Sequence, residues 1–153
     1  MEQRLIRYGG LAVWSMVGVP LLIDHAAAAG RLTGWAVAFV TFGVVLALHD
    51  NLTARERVAA RSLEVACVVT IVLLLCNGFE GALLVLIAMQ LARDETRRTA
   101  LIWIGVQTFL LFAAISFHWT PRAALMLAPP YLGFQLLVFL LVERVRSEHE
   151  ARD

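Results

Sequence analysis

The chain carries thirteen arginines and no lysine, and their positions limit how its apolar segments can be threaded. Arg4 and Arg7 stand at the start, and Arg55, Arg57 and Arg61 between the second and third apolar runs. Arg93, Arg97 and Arg98 lie between the fourth and fifth runs, and Arg144, Arg146 and Arg152 after the sixth. Only Arg31 and Arg122 fall elsewhere. Counting the termini as gaps, every second gap is basic, which is the bias of cytoplasmic loops in membrane proteins. The pattern predicts an all-α polytopic transmembrane helix bundle of six spans, with both termini in the cytoplasm. Five spans, with one leg of a hairpin re-entrant, is the second arrangement.

Composition agrees. Hydrophobic residues make up 60% of the chain and charged residues 16%, against about half and about a quarter in soluble domains. The arginines flank apolar runs without interleaved aromatics, which argues against nucleic acid as a partner. Cys67 and Cys76 lie more than two turns apart on one run, too far to bridge each other. They read as small apolar helix residues.

The first run, residues 8–23, closes on Asp24 and His25. A signal peptide cut near residues 26–29 is the competing reading there. The second run, 33–48, ends in His49 and Asp50. The third is 62–76, but Thr53 and Glu56 have capping-box spacing. Its helix is therefore expected to start in the cytoplasm, with 54–61 standing in water, and to stop at Asn77 and Gly78. The fourth run, 79–92, covers only about 21 Å of a hydrocarbon core about 30 Å thick. The fifth and sixth, 99–119 and 123–142, are full length, with Trp103 and Trp119 near opposite ends of the fifth. Residues 143–153 continue the last helix, with Glu143/Arg146 and Glu148/Arg152 at helix-neighbour spacing and no Gly or Pro stop. The expected organisation is a transmembrane domain over 1–142 and the start of a cytoplasmic signalling helix over 143–153, cut in mid-helix. A frayed tail is the alternative.

Few residues offer chemistry. Glu80, in the turn Asn77-Gly78-Phe79-Glu80-Gly81, is either a sensing group or a water-exposed turn residue. Gln107 and Gln135 each lie about 12 Å from the cytoplasmic edge of sequential antiparallel helices, so their amides can pair. Such a pair is structural glue or a switchable seam. Gln90 is expected to reach the headgroups. Pro129 and Pro130 each remove a donor from the sixth helix and predict a kink, either static or coupled to the C-terminal exit of that helix. His25, His49 and His118, even with Asp24 or Glu80, do not make up a metal site. The sequon Asn51-Leu52-Thr53 falls on the cytoplasmic side. No phosphate loop, nucleophile motif or complete catalytic constellation is visible.

Three features together resemble the membrane-embedded input region of bacterial two-component sensor histidine kinases, of the desaturase-thermosensor-like and envelope-stress classes. They are a multi-span bundle with very short external loops, the hairpin from Asn77-Gly78-Phe79-Glu80-Gly81-Ala82-Leu83-Leu84 to Gln90-Leu91, and a last span continuing into the charged helix 143–153. The resemblance implies a homodimer whose exit helix leads to a stalk with the phosphoacceptor histidine and then an ATP-binding domain. It also implies ATP and Mg as cofactors of that kinase module and a cognate response regulator as its partner. None of that module lies in this chain, so no cofactor is expected here. Leu48-His49-Asp50 looks like the family's phosphoacceptor box, but it closes an apolar run rather than lying on a stalk, and the role does not carry over to His49.

With external loops this short, a stimulus is expected to arise in or at the bilayer. Glu80, Asn77, Gln107, Gln135, Pro129 and Pro130 are the candidates for sensing and coupling, with Arg55, Arg57, Arg61, Arg93, Arg97, Arg98, Arg144 and Arg146 as topology anchors. Two rivals remain. One is a small transporter or channel subunit, which wants charges or broken helices at the midplane. The other is a structural membrane protein packed on a partner through small residues such as Gly9, Gly10, Gly18, Gly43 and Gly105.

Overall fold

The computed structural model describes the backbone of residues 2–23, 29–76 and 78–150, and side chains within 9–19, 30–76 and 78–148. The expectations placed on Asp24, His25, Asn77 and Arg152 lie outside the described residues. The described residues form α1 (Glu2–Ile23), α2 (Ala29–Leu48), a short 3-10 turn (His49–Asn51), α3 (Ala54–Leu74), α4 (Gly81–Asp94), α5 (Arg97–Ser116) and α6 (Pro121–Glu150).

Local chemistry sets the boundaries. Thr53 caps α3: the Glu56 N–H donates to Thr53 Oγ1 at 3.4 Å, and the Thr53 N–H donates to Glu56 Oε2 at 2.8 Å. This is the expected capping box, which satisfies two donors a helix start leaves open. α3 stops at Leu74, with Leu75 already extended, two residues earlier than the sequence implied. Gly78, at φ 88°, turns the chain in the left-handed region that glycine tolerates best. Thr96 caps α5 by accepting from the Thr99 N–H at 3.4 Å. Pro121 opens α6 where a missing N–H costs nothing, and Thr120 Oγ1 accepts from the Ala123 N–H at 3.3 Å.

The chain divides into two compact units, residues 1–83 and 84–153. In the first, α2 packs along α3, and α1 packs on α2. Trp14 of α1 stacks on Phe39 at 4.6 Å between ring centroids, and its indole N–H donates to the Phe39 carbonyl at 3.0 Å. Two glycines permit this approach. A Cβ on Gly43 would lie 2.6 Å from Trp14 Cε2, and one on Gly18 would lie 3.0 Å from Phe39. Gly9 and Gly105 meet nothing within 4 Å. In the second unit α5 packs on α6.

Three helical segments are long and apolar enough to cross a membrane: Gly30–Asn51, Arg97–Ser116 and Pro121–Glu148. α1 runs over 22 residues, and its described apolar stretch is Gly9–Val19. α3 and α4 fall short for identifiable reasons. α3 carries Arg55, Glu56, Arg57, Arg61 and Glu64 in its first half, which leaves a short apolar remainder. α4 has 14 residues, about 21 Å. Thus, among the described residues, the chain is all-helical and three helices are of spanning quality. Large apolar side chains stay exposed on α5 and α6, Phe109 at 67% and Met126 at 68% among them. Lipid accepts such a surface, and water does not readily.

Candidate functional site

The most organised polar feature of the second unit lies inside two of the spanning-grade helices. Gln107 and Thr108 of α5 face Gln135 of α6, and all three are buried. Gln107 Nε2 donates to the Leu84 carbonyl of α4 at 3.2 Å and also to Gln135 Oε1. Gln135 Nε2 donates in turn to Thr108 Oγ1 at 3.1 Å. The Thr108 hydroxyl then donates back to the Ile104 carbonyl at 2.7 Å. The orientation is forced: reversing the Gln107 amide would set its oxygen against two other oxygens. The arrangement leaves Gln107 Oε1 without a hydrogen-bond partner among the described residues. A buried acceptor left so costs about 1–3 kcal/mol.

The structure therefore brings Gln107 and Gln135 together. It adds Thr108 and the Leu84 carbonyl, which the sequence reading missed. Thr108 had a local signal, since a threonine inside a helix can donate to the carbonyl four residues back. The Leu84 contact had none. Pro129 and Pro130 lie on the exposed face of α6, which runs through them unbroken. Beside Pro129, a groove of about 320 Å³ opens between α5 and α6, walled by Gly105, Thr108, Phe109 and Leu125.

At the charged end of the same unit, Arg146 Nη1 donates to the Ala92 and Arg93 carbonyls at 3.4 and 3.2 Å. A cation there complements the negative end of the α4 dipole. Arg144 pairs with Glu148 at 3.0 Å. Glu143 faces Arg97 at 4.0 Å, so its ion-pair partner is on α5 and not the Arg146 that spacing suggested.

Several expectations need correction. Glu80 is 1% exposed, so it is not a water-exposed turn residue. Its Oε2 accepts from the Gly78 N–H at 2.9 Å, and its carbonyl accepts from the Leu83 N–H, closing the turn that starts α4. Phe79, at 61%, takes the outward position instead. Gln90 is buried and does not reach the headgroups, because Leu83, Leu84, Leu86, Ile87, Ala88, Leu91 and Ala92 bury α4 on nearly every side. Residues 54–61 do not all stand in water: Ala60 and Arg61 are buried, Arg61 at 1%. The sequence reading also passed over Glu64, which is 0% exposed inside the third run. With His49 and Glu80, these make four buried Arg, His and Glu side chains among the described residues of the first unit, each engaged in polar or electrostatic interactions.

The remaining anchors, Arg55, Arg97, Arg98 and Arg144, are exposed, and Arg57 and Arg93 are half-buried. Arg57 Nε donates to the Leu52 carbonyl at 3.1 Å. His118 is exposed, and no three His, Cys, Asp or Glu side chains converge among the described residues.

No family model matches this chain, and neither a curated protein nor a solved structure does.

Proposed function

We propose that this chain is a membrane-embedded sensor region that converts a state of the bilayer into a displacement of α6. One observation carries the reading. A single 30-residue helix, α6, joins an apolar stretch of spanning quality to a charged stretch, and each part is tied to its neighbours. The apolar part is held through Gln135 to α5, and the charged part through Arg146 to the end of α4. A shift of α5 against α6 would therefore reach the charged stretch.

In the full form of the reading, six helices cross a bacterial inner membrane with both termini cytoplasmic. The alternation of arginines supports that topology. α6 would feed a homodimeric histidine kinase module that uses ATP and Mg to phosphorylate a response regulator, as the family resemblance implies. The short α4 supplies sensitivity, since mismatch with the bilayer changes energy by a fraction of a kcal/mol per Å, enough to bias a balanced pair of states.

Spin labels at Arg98→Cys and Ser147→Cys, with Cys67 and Cys76 replaced, measure the α5–α6 distance in bilayers of increasing acyl length. The expected result is a distribution that moves with thickness. A distribution unchanged from thin to thick bilayers rejects the reading.

The buried charges favour a second reading, a small transporter or channel subunit. Ionisable side chains enclosed in a membrane bundle often mark an ion or proton path, and Arg61, Glu64 and His49 are so enclosed. Proton flux into liposomes that Glu64→Gln abolishes would favour it over the sensor.

A further inference from the structure

The charged end of the second unit encloses a cavity of about 180 Å³ between the end of α4, the start of α5 and the charged stretch of α6. Ala92 and Phe139 form an apolar floor, at 2% and 1% exposure. The rim carries Arg97 and Arg146, Glu95 and Glu143, and the hydroxyls of Thr96 and Ser147. The Arg97–Glu143 pair does not close the space: Arg97 Nε stands 4.0 Å from Glu143 Oε2, beyond hydrogen-bond reach.

Two cations and two carboxylates around an apolar floor suit a short zwitterion better than a plain anion. A phosphate beside the guanidiniums is repelled by the carboxylates unless it brings its own cation. We propose that this cavity binds the phosphoethanolamine headgroup of a membrane lipid. Its phosphate meets Arg97 and Arg146, its ammonium meets Glu95 and Glu143, and its two methylenes lie on Phe139. Guanidinium forks match phosphate oxygens, and a primary ammonium offers three N–H donors to carboxylates. A trimethylammonium offers none, so phosphatidylcholine loses half of the recognition. Phosphatidylglycerol brings negative charge with no cation to answer Glu95 and Glu143.

The position fits a headgroup. Arg97 opens the spanning-grade α5, and Glu143 directly follows the apolar stretch of α6. An occupant there would brace the charged stretch of α6 against the α4–α5 connector, giving the sensor a chemical input besides thickness. The proposal rests on the membrane placement given above. Its test holds acyl length fixed, so it can fail while the thickness response stands, and the reverse.

The test is native mass spectrometry of the full chain released from nanodiscs of equal phosphatidylethanolamine, phosphatidylcholine and phosphatidylglycerol with identical acyl chains. Retained phosphatidylethanolamine should be enriched on the order of tenfold over either rival, the loss expected when charge-assisted hydrogen bonds go unmade. Arg97→Gln and Glu143→Gln, both at partly exposed sites, should each return retention to the bulk ratio. Equal retention of the three lipids, enrichment of phosphatidylglycerol, or a preference that survives both substitutions overturns the proposal. A second measurement needs no variant. Soluble O-phosphoethanolamine should displace the bound lipid where phosphocholine does not, and displacement by neither, or by both alike, overturns it as well.

Discussion

At the scale of single residues, the amide pair is where side-chain chemistry and helix placement meet. Gln107 and Gln135 lie eight and seven residues from the inner ends of their apolar runs, so the depth match was visible in the numbering, and the hydrogen bond follows from it. Replacing Gln107 strands the Gln135 carbonyl oxygen, and replacing Gln135 leaves Gln107 Nε2 only its bond to the Leu84 carbonyl. Gln107→Leu and Gln135→Leu should each cost about 1–2 kcal/mol, the penalty of one buried polar group left unpaired. The double variant should cost less than the sum by about 0.6 kcal/mol, and at most about 1.7, the range of such bonds within membranes. Reversible unfolding in bicelles measures the cycle, and strictly additive losses would show that the bond carries no energy. A second residue-scale effect lies at Glu56. The Thr53 hydroxyl and then the Thr53 N–H, both donating to its carboxylate, hold the Glu56 carboxyl below its usual value. A folded value below the unfolded one means the contribution is complete above the ordinary carboxylate range and is lost as pH falls through the folded value. Relative to the intrinsic exchange rate at each pH, protection of the first-turn amides of α3 should therefore fall as pH drops below the ordinary carboxylate range. Glu56→Gln should abolish that fall, and a protection profile identical in both proteins would contradict it.

At the scale of elements, the α1–α2 contact turns on one absent methyl group. A Cβ at Gly43 cannot coexist with the Trp14 ring in its present place, and the Trp14 indole is fixed by its bond to the Phe39 carbonyl. Gly43→Ala should expel the ring and destabilise the first unit by about 1–3 kcal/mol, as over-packed cores do. The tryptophan emission should shift to the red, and Trp14→Leu in the same chain should recover most of the loss by opening the space. If Gly43→Ala leaves both emission and stability unchanged, that close approach is not what holds α1 on α2. The same contact shows what a sequence can disclose. The Thr53–Glu56 cap and the short α4 were legible because they depend on neighbours a few residues away. The depth of the amide pair was legible because helical rise is fixed. By contrast, Gly43 and Gly105 look alike in the sequence, yet one meets a ring and the other meets nothing. Arg61, Glu80 and Gln90 were misread, and Glu64 was passed over, for the same physical reason. A helix face is wet or enclosed according to what packs on it, and that is decided by tertiary structure.

At the scale of the whole molecule, two counts of membrane crossings compete: six from the arginine alternation and, among the described residues, three from helix length and apolarity. They differ most at α3 and α4. If both cross, the Phe79 turn is external while Arg55 and Arg98 are internal. If α4 alone fails to cross, Arg55 and Arg98 face opposite sides. If neither crosses, Phe79 is never reached from outside. Each of these positions is exposed, so a cysteine placed there reports its compartment without disturbing a buried contact. In a chain with Cys67 and Cys76 replaced, the six-span arrangement predicts that Phe79→Cys and Phe117→Cys react with an impermeant maleimide in intact cells. It also predicts that Arg55→Cys and Arg98→Cys react only after permeabilisation. The energetic case for six rests on the positive-inside bias, which acts on connectors regardless of helix length. The case against rests on α4, whose length of about 21 Å leaves about 9 Å of hydrocarbon to be met by thinning or by neighbouring helices. A mismatch that large is what would make such a bundle responsive to thickness. The labelling at Phe79 tells whether α3 crosses, and the labelling at Arg98 against Arg55 tells whether α4 does; together they decide the topology and, with it, whether the short helix can act as the gauge.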